Sequence, residues 1–330
     1  MKSYKVGILG ACGMVGGTML QVLRERDLPI SELYLFDVAA VAGKTFDFKG
    51  KTVTVEESTL DIFDRGIDIC LFAVDSPISK KYAPIAAEKG CVVVDNSSEW
   101  RMDDSVPLVV PEVNGDDIFK NKGIVASPNC STIQALVAIN PLHKAFGIKR
   151  VIYSTYQSVA GAGMAGIEDL RRTNNGEKPQ CFPYPIAGNV IPRIDVFDET
   201  GYTGEETKMI KETRKILHEP NMRVTATTVR VPVEIGHSES INLEFEKPFE
   251  LDEVRKILQN APGVILQDNP AKEGYPTPKL IAGTDEVYVG RIRRDFSADN
   301  ALNIWVVADN VRKGAATNAV QIAERLIKGA

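Results

Sequence analysis

Residues 6–16 read VGILGACGMVG. An apolar strand-like run, YKVGILG at 4–10, enters the glycines, and a helix-like stretch, GTMLQVLRER at 17–26, leaves them. Strand, glycine turn and helix in that order turn a glycine pattern into a dinucleotide hypothesis. Missing side chains let backbone N–H groups approach a pyrophosphate, and the helix N-terminus adds its partial positive charge. The same glycines would also suit an ordinary tight turn, so the surrounding sequence has to decide.

Outward from that loop, LYLFD (33–37), DICLFAV (68–74), CVVVDN (91–96) and GIVAS (123–127) read as buried strands. Helical stretches such as SKKYAPIAAEKG (79–90) lie between several of them. Continuous apolar strands alternating with helices predict a parallel sheet with crossovers. Asp37 ends the second strand, where a carboxylate can bond the adenosine ribose hydroxyls and repel a 2′-phosphate. A strand-ending Asp is equally a common turn residue.

Beyond about residue 148 the texture changes. RVIYSTYQSV (150–159), RVTATTVRVPV (223–233), SINLEFE (240–246), VYVGRIRRD (287–295) and NIWVVAD (303–309) are longer strands, several of them alternating. SINLEFE places Ile241, Leu243 and Phe245 on one side, as a sheet covered on one face requires. Helices are expected at 205–218, 251–263 and 314–329, and the Gly-, Pro- and Asn-rich stretch 172–193 reads as a long loop. The fold class is therefore α/β: a Rossmann-like nucleotide-binding domain plus an α+β domain with a mixed or antiparallel sheet.

Composition narrows the function. The 330 residues carry 39 Lys and Arg against 44 Asp and Glu, a net charge of −5, so no basic footprint for nucleic acid exists. No apolar run approaches the roughly 20 residues that span a bilayer. Glycines at 7, 10, 13, 16 and 17 interrupt the N-terminal apolar stretch that might otherwise resemble a signal peptide. The five cysteines, at 12, 70, 91, 130 and 181, show no CxxC spacing, which disfavours a disulfide framework and a metal site and suits the cytoplasm.

One cysteine stands apart. Cys130 lies in SPNCST (127–132), at or just before the expected helix 131–139, with Asn129 as a cap. A helix N-terminus favours the thiolate and so suits a nucleophile, although free cysteine is more often a small buried hydrophobe. Cys70 and Cys91 sit in apolar strands. Of the three histidines, His218 closes a charged helix and His143 sits on a helix beyond Pro141, where it reads as a surface or packing residue. His237, in VPVEIGHSE between two strands, is left as the partner by elimination, against the alternative of an ordinary turn histidine.

The glycine loop, VDNSSEWR (94–101), VPLVVPEVN (106–114), SPNCSTIQ (127–134), TYQ (155–157), Arg230 and GHS (236–238) together resemble the aspartate-β-semialdehyde dehydrogenase family. The resemblance continues in order through VGRIR (289–293), WVVADN (305–310) and KGAA (313–316). It implies a dinucleotide-binding domain over 1–128, a catalytic and dimerisation domain over 129–312, and a C-terminal helix, 313–330, returning to the first. The implied reaction is NAD(P)H-dependent reductive dephosphorylation of aspartyl-4-phosphate to aspartate-4-semialdehyde, in the biosynthesis of threonine, methionine and, by way of diaminopimelate, lysine.

Residue by residue, the resemblance implies Cys130 as nucleophile, His237 as acid/base and Gln157 as the group that orients the intermediate. Arg101, Asn129 and Lys208 would contact substrate and phosphate, Arg230 the substrate carboxylate, and Glu205 its ammonium. Gly10, Cys12, Gly13, Met14, Val15, Asp37, Ala160, Gly161 and Asn310 fall at cofactor positions. Without the resemblance, Glu205 and Lys208 would read as an exposed helical salt pair, Arg101 as a solvated turn residue and Arg230 as a strand-surface charge. A homodimer or tetramer is implied, with small-molecule substrates and neither nucleic acid nor membrane as partner.

Departures bear on the cofactor. Ala40 and Val41 stand where members often carry an Arg-Ser pair suited to the 2′-phosphate, and Ala160 replaces a common Ser. The family prior is NADP; Asp37 and Ala40 favour NAD or use of both. Cys12 replaces a common Thr, with little consequence where backbone does the binding. Rival readings are N-acetyl-γ-glutamyl-phosphate reductase, which would need no carboxylate for an ammonium, a catalytically silent nucleotide-binding homologue, and thiol redox sensing.

Overall fold

The strand–helix alternation of the first half closes into a seven-stranded sheet in the computed structural model, which describes residues 3–329. Strands β1 (Tyr4–Leu9), β2 (Ile30–Asp37), β3 (Thr45–Phe48), β4 (Lys51–Glu57), β5 (Ile69–Phe72), β6 (Val92–Asp95) and β7 (Ile124–Ala126) take the order β3-β4-β2-β1-β5-β6-β7. All neighbours are parallel except the β3–β4 hairpin. Helices α1 (Met14–Glu25), α2 (Ser76–Glu88) and the short α3 (Pro111–Asn114) supply crossovers. The hairpin was not expected. Its turn, Lys49-Gly50, has both φ values positive at 51° and 81°, the geometry that matches strand twist.

The remaining elements of the chain are α4 (Cys130–Phe146), β8 (Ile148–Gln157), α5 (Gly163–Asn174), α6 (Gly204–Ile216), β9 (Arg223–Arg230), β10 (His237–Phe245), α7 (Leu251–Gln259), β11 (Val264–Leu266), α8 (Pro278–Ile281), β12 (Val287–Asp295), β13 (Ala301–Ala308) and α9 (Thr317–Lys328). Two compact units result: residues 3–129 with 315–329, and Cys130–Gly314. In the first unit α9 closes the core. Ala319, Val320, Ile322 and Ala323 join Val6, Ile8, Met19, Leu20 and Leu23 in one apolar cluster. Fully burying Val320 and Ile322 is worth about 1.5–3 kcal/mol each. Asn318 Nδ2 pins the helix by donating to the Val109 carbonyl (3.1 Å) and Ser127 Oγ (3.0 Å).

In the second unit the six-stranded sheet has the order β11-β12-β13-β10-β8-β9. It is mixed: β8–β9 and β11–β12 are parallel, the others antiparallel. Strand β10 alternates, and the face carrying Ile241, Leu243 and Phe245 begins with His237 and Glu239, all buried. Phe245 meets Phe146 of α4 with ring centroids 5.4 Å apart.

Three expectations change. Helix α4 runs past the expected 131–139 to Phe146, through Pro141, because burying Leu142 and Phe146 offsets the donor that proline lacks. The stretch 172–193 begins inside α5, whose Ile167 and Leu170 form a buried stripe, so only its remainder is loop. His237 lies not between strands but at the first position of β10. Among the described residues, no helix is long and apolar enough to cross a membrane.

Candidate active site

The Cys130–Gly314 unit assembles the chemistry at one edge of its sheet. Parallel pairing of β8 and β9 sets Gln157 beside Arg230, both at strand C-terminal ends. Antiparallel pairing sets Ser238 beside Tyr156, so β10 starts where β8 ends. His237, also paired with Ala308 at the end of β13, therefore reaches the same edge. Helix α4 opens there with Cys130 as its first residue, where unsatisfied N–H groups favour a thiolate.

Cys130 Sγ lies 3.2 Å from His237 Nε2. The imidazole is fully buried, and its other nitrogen, Nδ1, accepts the Ser158 main-chain N–H at 3.1 Å. Ser158 Oγ, also 3.1 Å from Nδ1, hydrogen-bonds Asn310 Oδ1 at 2.9 Å. Asn310 Oδ1 additionally accepts the Gly236 N–H (2.9 Å), so this expected cofactor residue anchors the start of β10. Burial, and then the Arg230 charge, holds the His237 pKa well below the usual imidazole range.

Gln157 sits between the histidine and α6. Thr155 Oγ1 donates to its Oε1 (2.9 Å), and its Nε2 donates to Glu205 Oε1 (3.0 Å), leaving Nε2 3.4 Å from His237 Nε2. Helix α6 places Glu205 through a capping box: Glu206 N–H donates to Thr203 Oγ1, and Thr203 N–H to Glu206 Oε2. Glu205 is buried at 5% exposure, which sets aside the exposed salt-pair reading. Lys208 Nζ is 3.5 Å from Glu205 Oε2 but donates to Asp195 Oδ2 at 2.8 Å, and that bond holds the Asp195 pKa down.

Arg230 is buried as well, not a strand-surface charge. Its Nη1 donates to the Ser158 carbonyl at 2.7 Å, and its guanidinium stands 5.8 Å from the Phe182 ring centroid. Asp169 of α5 fixes that aromatic ring by accepting the Gln180 and Phe182 main-chain N–H groups. Gly161 leaves the room Arg230 needs, since a Cβ there would lie 2.6 Å from Nη1 and 3.4 Å from His237 Nε2. Ala160 is buried beside it, its N–H on the Glu234 carbonyl (3.1 Å). Ser158, Phe182, Asp169 and Asp195 carry no local sequence signal for these roles; only pairing and loop geometry bring them in.

The other unit holds the glycine loop. Gly10 turns at φ +85°, and a Cβ there would meet the Ala73 carbonyl oxygen at 2.4 Å, so only glycine fits. Gly13 precedes α1, and Met14 and Val15 open it. The turn is held from β2: Gly10 and Ala11 N–H groups donate to the Phe36 carbonyl, and Cys12 N–H donates to Asp37 Oδ2 at 2.7 Å. Asp37 Oδ1 accepts from Val38 N–H (2.8 Å). Its carboxylate thus shapes the loop and keeps acceptor capacity for hydroxyls. A bare backbone turn facing a helix N-terminus fits a dinucleotide pyrophosphate. Arg101 belongs to this unit too; it is buried, with Nη2 donating to the Asn96 carbonyl (2.8 Å) rather than solvated. Asn129, also buried, directly precedes Cys130 in the chain.

Comparison with known proteins agrees over the full length. Residues 5–121 match the semialdehyde dehydrogenase NAD binding domain, and residues 139–313 the semialdehyde dehydrogenase dimerisation domain. The chain is 54% identical to aspartate-semialdehyde dehydrogenase of Aquifex aeolicus, over 98% of each chain. It superposes with a TM-score of 0.95 on aspartate semialdehyde dehydrogenase II complexed with ASA from Vibrio cholerae, at 46% identity and 99% coverage of both chains. Aspartate semialdehyde dehydrogenase with NADP from Candida albicans matches at TM-score 0.78, 25% identity and 98% coverage of both.

Proposed function

We propose, from the premise that this chain belongs to the aspartate-semialdehyde dehydrogenase family, that Cys130 is its nucleophile and His237 the partner acting through Nε2. The reaction is that of an oxidoreductase acting on an aldehyde or acyl phosphate, aspartate semialdehyde and aspartyl phosphate. The observation that carries the assignment of roles is the 3.2 Å approach of Cys130 Sγ to His237 Nε2 at a helix N-terminus. Cys130 attacks the acyl carbon and phosphate leaves, giving a thioester. A bound nicotinamide dinucleotide supplies the hydride in this direction and accepts it in the other.

The remaining roles follow from charge. A carboxylate, an ammonium and a phosphate must bind to a chain of net charge −5, so fixed local groups are needed. Buried Arg230 grips the carboxylate, Glu205 receives the ammonium, and Gln157, tied to Glu205, orients the acyl carbon. Arg101, Asn129 and Lys208 are assigned to substrate and phosphate. The buried carboxylate of Glu205 favours a free amine over the acetamido group of an acetylglutamyl substrate.

Gly10, Cys12, Gly13, Met14, Val15 and Asp37, with Ala160, Gly161 and Asn310, are assigned to the dinucleotide. NADP turnover is expected from the Candida albicans relative, and the Asp37 charge supports NAD use beside it. Residues 1–128 with 313–330 are read as the dinucleotide domain, and 129–312 as the catalytic domain that pairs copies into a dimer, two of which could form a tetramer. The cytoplasm is the assigned compartment.

The test follows absorbance at the reduced-nicotinamide band with aspartate semialdehyde and phosphate, NAD and NADP in parallel, for wild type and Cys130→Ala. Turnover that disappears in the variant is expected. No turnover by folded wild type, or full turnover by Cys130→Ala, would overturn these roles.

A further inference from the structure

Two polar side chains lie buried one layer below the Cys130–His237 pair. Gln134 follows Cys130 by one turn on the same stripe of α4, and Glu239 follows His237 by one step on the same face of β10. Both are fully buried. The two steps are close in length, about 6 Å along a helix and about 7 Å along a strand. The polar pair therefore repeats the reacting pair at greater depth, and the Gln134 amide faces the Glu239 carboxyl.

Stability alone does not favour an amide at position 134. Its neighbours on α4 include buried Ile133, Leu136, Val137 and Ile139. Burying an amide there costs free energy that a Leu or Met would avoid. The bond it makes shows what the amide is for. Gln134 Nε2 donates to the His237 main-chain carbonyl at 3.3 Å. A carbonyl oxygen only accepts, so the amide nitrogen must face it, and Oε1 is left turned away without a donor of its own. One side chain thus ties the helix that carries the sulfur to the residue that carries the imidazole. Apolar contacts between α4 and β10 are non-directional and leave a helix free to slide by small amounts. A hydrogen bond sets both a distance and an angle.

We propose that Gln134 is a positioning residue for the reaction: its amide, backed by Glu239, clamps α4 to the His237 main chain and holds Cys130 Sγ 3.2 Å from Nε2. This rests on the assignment of Cys130 and His237 above. No bond is made or broken at Gln134; it acts through the placement of the pair. Gly314 confines the cysteine as well, since a Cβ there would lie 2.9 Å from the Cys130 Cβ. Misplacing reacting groups by about 1 Å can cost about a hundredfold in rate. A longer contact from Sγ to Nε2 also withdraws support from the thiolate.

The test uses two variants of the full chain. Gln134→Met keeps the length of the side chain without its amide, and Gln134→Asn keeps an amide one methylene short of the carbonyl. In either, kcat is expected to fall about 10- to 100-fold, with KM for aspartate semialdehyde and for phosphate within about threefold of wild type. Alkylation of Cys130 by iodoacetamide, followed on the Cys130 peptide by mass spectrometry, supplies the second readout. Its pH midpoint is expected to rise by about half a pH unit or more, as the thiolate loses part of a hydrogen bond. A merely structural side chain would lower stability and leave that midpoint in place. Wild-type kcat in a folded variant, or a reduced kcat with a midpoint that does not rise, would overturn the inference. Failure of both variants to fold would make Gln134 a residue of the core and overturn it too. Alkylation needs no turnover, so failure of the proposed reaction and failure of the clamp are read separately.

Discussion

Glu239→Gln should make the protein progressively more stable than wild type as pH rises. Glu239 is fully buried on the helix-facing side of β10, and neither carboxyl oxygen accepts a well-formed hydrogen bond within the protein. Gln134 Oε1, an acceptor, is equally without a donor, while its Nε2 donates to the His237 carbonyl at 3.3 Å. A protonated Glu239 supplies the missing donor; an ionised one adds an unpaired charge. Burial, reinforced by Glu205 and opposed by Gln134, raises the Glu239 pKa well above the usual carboxylate range.

In the unfolded chain that carboxyl ionises near pH 4.3. Above that value the unfolded state binds fewer protons than the folded state, so wild-type stability falls as pH rises towards the folded pKa. The slope from one such group is about 1.4 kcal/mol per pH unit. From pH 5 to 7 the advantage of Glu239→Gln over wild type should therefore grow steadily, every other titration cancelling in the difference. The assay is urea unfolding of both proteins at pH 5, 6 and 7 and one protein concentration. Parallel stability curves would mean that Glu239 is ionised in the fold and would refute the reasoning.

Gly161→Ala should lower kcat/KM by about 10–100-fold with little change in melting temperature, because its Cβ displaces Arg230 from a charged hydrogen bond. Unchanged steady-state kinetics would contradict this. Gly10→Ala should destabilise the glycine-loop unit by at least about 1–3 kcal/mol in denaturant titration, since left-handed backbone and a carbonyl contact at 2.4 Å both oppose a side chain. Asp37→Ser removes a carboxylate from the end of β2 and should raise the NADP-to-NAD ratio of kcat/KM about tenfold or more. A ratio that does not move would remove Asp37 from the cofactor argument.

Local pattern carried the first sheet far. Continuous apolar runs at 68–74 and 91–96 became β5 and β6, and the glycine loop sits where strand gives way to helix. The β3–β4 hairpin escaped because its strands are short and half-exposed, with a weak turn pair, Lys49-Gly50. Helix α5 escaped because Gly163 and Gly166 dilute its stripe. The alternation of Ile241, Leu243 and Phe245, followed back two steps and then two more, leads to Glu239 and His237 on the same buried face. Gly236, at φ +96°, puts a turn signal directly before His237 and masks that extension in the sequence. Gln157, Glu205 and Arg230 came from family resemblance alone, because strand register brings them together and register is not written in any local spacing.

Helix α9 has a consequence during synthesis. The glycine-loop unit lacks its last wall until residues 315–329 emerge, and all of Cys130–Gly314 is translated in between. At about 5–20 residues per second, Val6, Leu20 and Leu23 face an open cleft for on the order of ten seconds or more after their own segment leaves the ribosome. The nascent first half is thus a natural client for chaperones that hold apolar surface. A stop codon a few dozen bases early would cost the cell the nucleotide fold, although every residue of the glycine loop had been made.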